Sequence, residues 1–219
     1  MMQDPLLKRW SEFWRQIEIT PPEAGAELLA AYSQPHRHYH TVQHLGECLL
    51  LLDERVVPRH GAGICRLVEL GLWFHDAIYE IPGPDNEQLS ADWAGRVLAD
   101  AGMLIADVDR VREAILATRH DAPAPSIVAE LVVDIDLAVL GAERPRFDEY
   151  EEQVRRENAV YAAGAYRQGR AVILRQFLDR PQIYQTPTFA NMEAPARANL
   201  RRSLRRLEPV GPTTNFTDL

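Results

Sequence analysis

Leu70-Gly71-Leu72-Trp73-Phe74-His75-Asp76-Ala77-Ile78-Tyr79 sets a histidine and an aspartate side by side at the end of a stretch that is otherwise nearly all apolar. Such a stretch belongs in a core, and from Gly61 to Tyr79 it reads at helical period. Burying a lone carboxylate costs far more than one packed side chain returns, so Asp76 needs a cation or several donors. Leu131-Val132-Val133-Asp134-Ile135-Asp136-Leu137-Ala138-Val139-Leu140 repeats the anomaly with two carboxylates. Residues two apart on a helix diverge by about 200°, so both cannot face one site. One of the pair faces it; the other is a cap, a supporting partner or an exposed residue.

Prolines and glycines divide the remaining chain into segments that also read as helices. The first runs from about 4 to 18, with Trp10 and Trp14 four apart on one core-facing side. A second begins at Pro21-Pro22 and continues to Ser33, and a third carries His40 and His44 on to Asp53. After Gly61–Tyr79 come Asn86–Ala101, stopped by Gly102, and Asp107–Thr118. Ser126 reads as the N-cap of a segment ending at Leu140, and long helices are predicted at 145–178 and 188–207. No alternating strand and no internal repeat interrupts this pattern. The expectation is one all-α domain over 1–207, a bundle of about eight to ten helices, with 208–219 as a flexible C-terminal tail.

The 219 residues suffice for one sizeable core, and their formal charge of −8 argues against a nucleic-acid polymer or an anionic membrane as partner. No apolar run approaches the roughly 18 residues of a membrane span. Met1 to Trp14 carries acids where a signal peptide would be basic and then apolar. Cys48 and Cys65 both lie in apolar segments and read as core residues of a reduced compartment. A cytoplasmic location is expected.

Pro35-His36-Arg37-His38-Tyr39-His40-Thr41-Val42-Gln43-His44 holds four of the seven histidines within nine positions. Zinc-finger and HExxH spacings are absent, so metal ligands would come from separate helices, as in sites built inside helical bundles. The order is a histidine closing HxxxH, a His-Asp pair after an apolar helix, and an aspartate some sixty residues on. This order resembles the HD-domain superfamily of all-helical metal-dependent phosphohydrolases. The strings Tyr32–His40, Trp73–Tyr79, Asp85-Asn86-Glu87 and Asp134–Gly141 are similar to one bacterial branch known as predicted HD phosphohydrolases.

The resemblance implies metal ligands at His44, His75, Asp76 and Asp136. Asp136 is preferred to Asp134 because the family aspartate precedes a leucine-containing stretch, as in Asp136-Leu137. Two imidazoles and two carboxylates suit Mn, Fe, Co, Ni, Zn or Mg. Two-metal members need further histidines between the His-Asp pair and the last aspartate; only His120 lies there, so one divalent ion is expected. Glu80, four residues after Asp76, shares its face if the helix continues, and it or Glu87 would take a proton from water. Arg37 with His40 or His120 would balance charge on phosphate oxygens. The implied activity is hydrolysis of a small phosphate ester or anhydride, a nucleotide or related metabolite. A two-metal oxygenase and a non-catalytic metal-binding module are the rival readings, and a homodimer is compatible with the sequence.

Overall fold

The structure, a computed structural model, describes residues 5–207. Those residues form ten α-helices and no strand: α1 (Pro5–Gln16), α2 (Ala24–Tyr32), α3 (Val42–Leu51), α4 (Ala62–Phe74), α5 (Asn86–Asp100), α6 (Ile105–Ala117), α7 (Ile127–Asp136), α8 (Arg144–Glu157), α9 (Ala163–Asp179) and α10 (Glu193–Leu207). A π-helical turn, Leu52–Val56, extends α3; 3₁₀ turns, Leu137–Gly141 and Pro187–Met192, follow α7 and precede α10. The tail predicted at 208–219 lies outside the described residues. No described helix is long and apolar enough to cross a membrane.

Helix α4 runs through the middle, with Leu70, Leu72, Trp73 and Phe74 fully buried and α3, α6 and α7 packed against it. Trp10 of α1 meets Trp73 and Phe74 edge-on, with ring centroids 5.1 and 6.1 Å apart, and Trp14 packs on Trp10 at 5.4 Å. Each such aromatic pair adds about 0.5–1.5 kcal/mol to the burial of its rings. Gly71 lets α4 and α7 touch, since a Cβ there would meet Val132 Cγ2 at 2.9 Å. That close approach brings the end of α4, with His75-Asp76, beside the end of α7, with Asp136.

Several helices end earlier than their apolar pattern predicts, for local reasons. Helix α4 stops at Phe74 and not at Tyr79. The amides that follow leave the i→i−4 ladder: Asp76 N donates to the Tyr32 hydroxyl at 3.3 Å, Ala77 N to the Phe74 carbonyl at 3.0 Å and Ile78 N to the Ser90 hydroxyl at 2.9 Å. Arg37 takes the freed Asp76 and Ala77 carbonyls at 2.6 and 3.1 Å. Helix α3 starts at Val42, capped by the Thr41 hydroxyl, which accepts from the Gln43 amide; His40 therefore precedes the helix. The segment predicted as one helix from 145 to 178 breaks between Glu157 and Ala163. There Asn158 Nδ2 donates to the Val154 carbonyl at 2.9 Å and closes α8. Ser126 caps α7 as read from the sequence, its hydroxyl accepting from the Ala129 amide.

Candidate metal centre

Side chains from three parts of the chain converge where α3, α4 and α7 meet. His44 Nε2 lies 3.0 Å from His75 Nε2, 3.5 Å from Asp76 Oδ2 and 3.2 Å from Asp136 Oδ1. His75 Nε2 lies 3.0 Å from Asp76 Oδ2 and 3.7 Å from Asp136 Oδ1. His75 Nδ1 is 2.8 Å from the Leu72 carbonyl, which can only accept, so Nδ1 carries a proton. In the neutral ring the Nε2 lone pair is thereby turned into the cluster. Asp76 Oδ2 is buried and, among the described residues, has no well-aligned hydrogen-bond donor. Two carboxylates and two ring nitrogens converging in a buried space call for a positive charge among them, carried by a metal ion or by protons on the rings.

The electrostatics carry the same message. Burial alone would raise the Asp76 carboxyl, yet His75, His40 and His44 hold it well below the usual carboxylate range. Asp136 is likewise held low against burial, by hydrogen bonds from His120 and His44. Burial disfavours a charged His75, but Asp76 and Asp136 push it up to about 9. The donor set fits a divalent cation, which would satisfy the acceptors that protons otherwise serve.

Buried His44, Cys48 and His75 also offer ligand atoms within 4.8 Å of one another, a grouping able to hold a metal ion. The sulfur lies 3.8 Å from His44 Nδ1 and 3.7 Å from Nε2. Near-equal distances put it against the ring and not on one nitrogen's lone pair. Burial and the nearby Asp136 and Asp76 carboxylates raise the Cys48 thiol well above its ordinary value. It is thus a weaker donor to the cluster than either carboxylate, because only the thiolate is a strong ligand.

The structure separates Asp134 from Asp136. Asp134 is fully buried and accepts from the Gln185 amide, the Thr186 amide and the Thr186 hydroxyl, each at 2.7 Å. It pins the chain before the last 3₁₀ turn and points away from the histidines. Asp136 Oδ2 receives His120 Nε2 at 2.9 Å, so His120 does reach the cluster. His120 has φ +59, a left-handed conformation costing on the order of 1 kcal/mol without glycine, and its carbonyl is held by Arg180.

Other sequence expectations are corrected. Arg37 is 4% exposed and spends its donors on the Gln34 side chain and the His40, Asp76 and Ala77 carbonyls. It clamps the His75-Asp76 turn and is not free to grip phosphate. Because α4 ends at Phe74, Glu80 is not a helical neighbour of Asp76; it is exposed at a turn whose backbone is tied to Asn86. Glu87 on α5 faces Arg119, 3.7 Å away, and does not line the cleft described below.

Glu157, overlooked in the sequence, is buried at the end of α8. Its Oε1 accepts the consecutive amides of His38, Tyr39 and His40 at 2.8, 2.7 and 2.9 Å. Its Oε2 takes His40 Nδ1 at 2.8 Å and the Tyr79 hydroxyl at 3.2 Å. Burial opposes this charge, but His40 and the amides hold Glu157 down to about 2. Burial would lower His40 as well, yet Asp76 and Glu157 raise it. The His40 ring stacks on Tyr79, centroids 4.0 Å apart, so the imidazole is fixed on one face and at one nitrogen. The signal was present in the sequence: Phe147, Tyr150, Val154 and Glu157 recur at core spacing, and the last position of that stripe is an acid.

A cleft of about 750 Å³ opens over the cluster, lined by Asp136, His40 and His120 and by Glu80, α9 and the turn at Ile81–Pro84. Comparison of the chain with protein-family models, curated proteins and solved structures finds no match.

Proposed function

We propose that this chain is an HD-type, metal-dependent phosphohydrolase, with one divalent ion held by His44, His75, Asp76 and Asp136. The observation that carries the reading is the convergence of two imidazoles and two carboxylates beneath an open cleft, with His75 Nε2 at 3.0 Å and His44 Nε2 at 3.5 Å facing one buried Asp76 oxygen. Bound there, the ion would supply an acidified water and a polarised phosphoryl oxygen. The chain's own part is positioning and proton transfer. Arg37 fixes the turn carrying two of the ligands, and His120 orients the Asp136 carboxylate. His40, tied at Nδ1 to Glu157, keeps Nε2 for the cleft; as an imidazolium it donates a proton to the leaving oxygen of a phosphate ester or anhydride. The proton lost by the attacking water restores it.

The non-catalytic reading is disfavoured by the open cleft, since structural metal sites are closed by protein ligands. The two-metal oxygenase reading has only His120 to draw on between the His-Asp pair and Asp136, one imidazole where a second ion needs several. Metal-stripped protein refilled in turn with Mn, Co, Ni, Zn or Mg should release phosphate from some member of a phosphoester panel. Asp76→Asn should release none. Failure of every ion and every ester would end the proposal.

A further inference from the structure

The cleft is chemically lopsided. At one end stands Asp136 of the cluster with His40 and His120; the apolar walls beyond include Ile81, Pro82, Val139, Leu140, Ile173 and Phe177. Most of the polar groups among these walls are already engaged within the chain. Asn86 uses both its amide oxygen and nitrogen on the Glu80 backbone, and Asn158 Nδ2 serves the Val154 carbonyl. The Tyr79 hydroxyl goes to Glu157. Arg170, 7% exposed, bonds the Tyr150 hydroxyl and Glu151 and buries its Nε, which has no partner among the described residues. Glu80, the Tyr161 hydroxyl, the Asn158 amide oxygen and the buried Tyr39 hydroxyl are what the side chains of the walls leave for a ligand, few against the polar groups of a nucleoside.

The apolar surface also continues outward. Ile173 and Tyr161 line the cleft while 43% and 40% exposed, and Val160, next to Tyr161, is 65% exposed. A sugar and a nucleobase carry several donors and acceptors that would lose water here without replacement, whereas an apolar body gains by every buried methylene.

We infer that the cleft takes a phosphate ester whose organic group is apolar, an alkyl chain or an unsubstituted ring, in preference to a nucleotide. The phosphate end of this inference rests on the phosphohydrolase reading; the organic end rests on the walls alone. The test uses ethyl, butyl, hexyl and octyl phosphate as substrates of the metal-refilled protein, with nucleoside 5′-monophosphates alongside. The matching alkylphosphonates, which cannot be hydrolysed, are titrated by calorimetry. KM and the phosphonate Kd should fall about two- to fourfold per methylene as the chain lengthens, with kcat nearly constant. Ile173→Asn, at a half-exposed position that folding tolerates, should flatten that slope. A flat series, or a nucleotide with higher kcat/KM than octyl phosphate, overturns the inference while leaving hydrolysis intact. A steep phosphonate series with no ester hydrolysed upholds it and removes the hydrolase reading instead.

Discussion

Replacing Glu157 by glutamine removes one buried negative charge with almost no change of shape, and the structure sets the size of the effect. In the folded chain the Glu157 carboxyl titrates at about 2 against an ordinary 4.5. A depression of that size corresponds to roughly 3 kcal/mol at 1.36 kcal/mol per unit. The sign follows from the direction. A carboxyl held below its unfolded value stabilises the fold fully above pH 4.5 and loses that contribution as pH falls toward 2. Glutamine keeps an oxygen for the His38, Tyr39 and His40 amides but turns an NH₂ group toward His40 Nδ1. Thermal melts at pH 7 should therefore drop by about 6–12 °C, taking 2–4 °C per kcal/mol for a chain of this size. Urea titrations of parent and variant should draw together below pH 4.5. A variant melting within a degree of the parent at pH 7, or a difference that does not shrink in acid, refutes the reasoning.

Arg37→Met keeps the stem but abandons the Asp76 and Ala77 carbonyls, so stability should fall by about 2–4 kcal/mol and metal should bind more weakly, read by urea titration and calorimetry. Asp134→Asn leaves at least one of the Gln185 and Thr186 donors unpaired, for a loss of about 1–3 kcal/mol, yet metal content should not change. On the substrate identified by the ester screen, His40→Gln should retain metal and lose about 10²–10⁴ in kcat, the usual worth of a positioned proton donor. Glu80→Gln, altering an exposed rim residue, should turn over close to the parent; a loss as large as that of His40→Gln would return the base role to Glu80.

Much of this arrangement is legible in residue order. His75 and Asp76 at the end of an apolar run announce a buried charge, and the 200° separation of Asp134 from Asp136 announces that only one serves the same site. Which one does is decided by the Gln185–Thr186 backbone, some fifty residues away, and nothing local encodes that pairing. Arg37 was misread because an arginine among histidines suggests an anion site. Its donors go instead to the Asp76 and Ala77 carbonyls, which the early end of α4 leaves free. Glu80 lost its helical relation to Asp76 for the same reason. Glu157 escaped because its partners are backbone amides of a distant segment, although its place in a core-spaced stripe was visible.

The most direct test of the account is metal content across four single variants: His75→Gln, Asp76→Asn, Asp136→Asn and Cys48→Ser. Protein purified without added metal, then equilibrated with Mn, Co or Zn and desalted, should carry about one ion per chain in the parent and in Cys48→Ser. The other three should carry almost none. An ion kept by Asp76→Asn and Asp136→Asn but lost from Cys48→Ser would assign the site to His44, Cys48 and His75 and contradict the carboxylate-bearing centre.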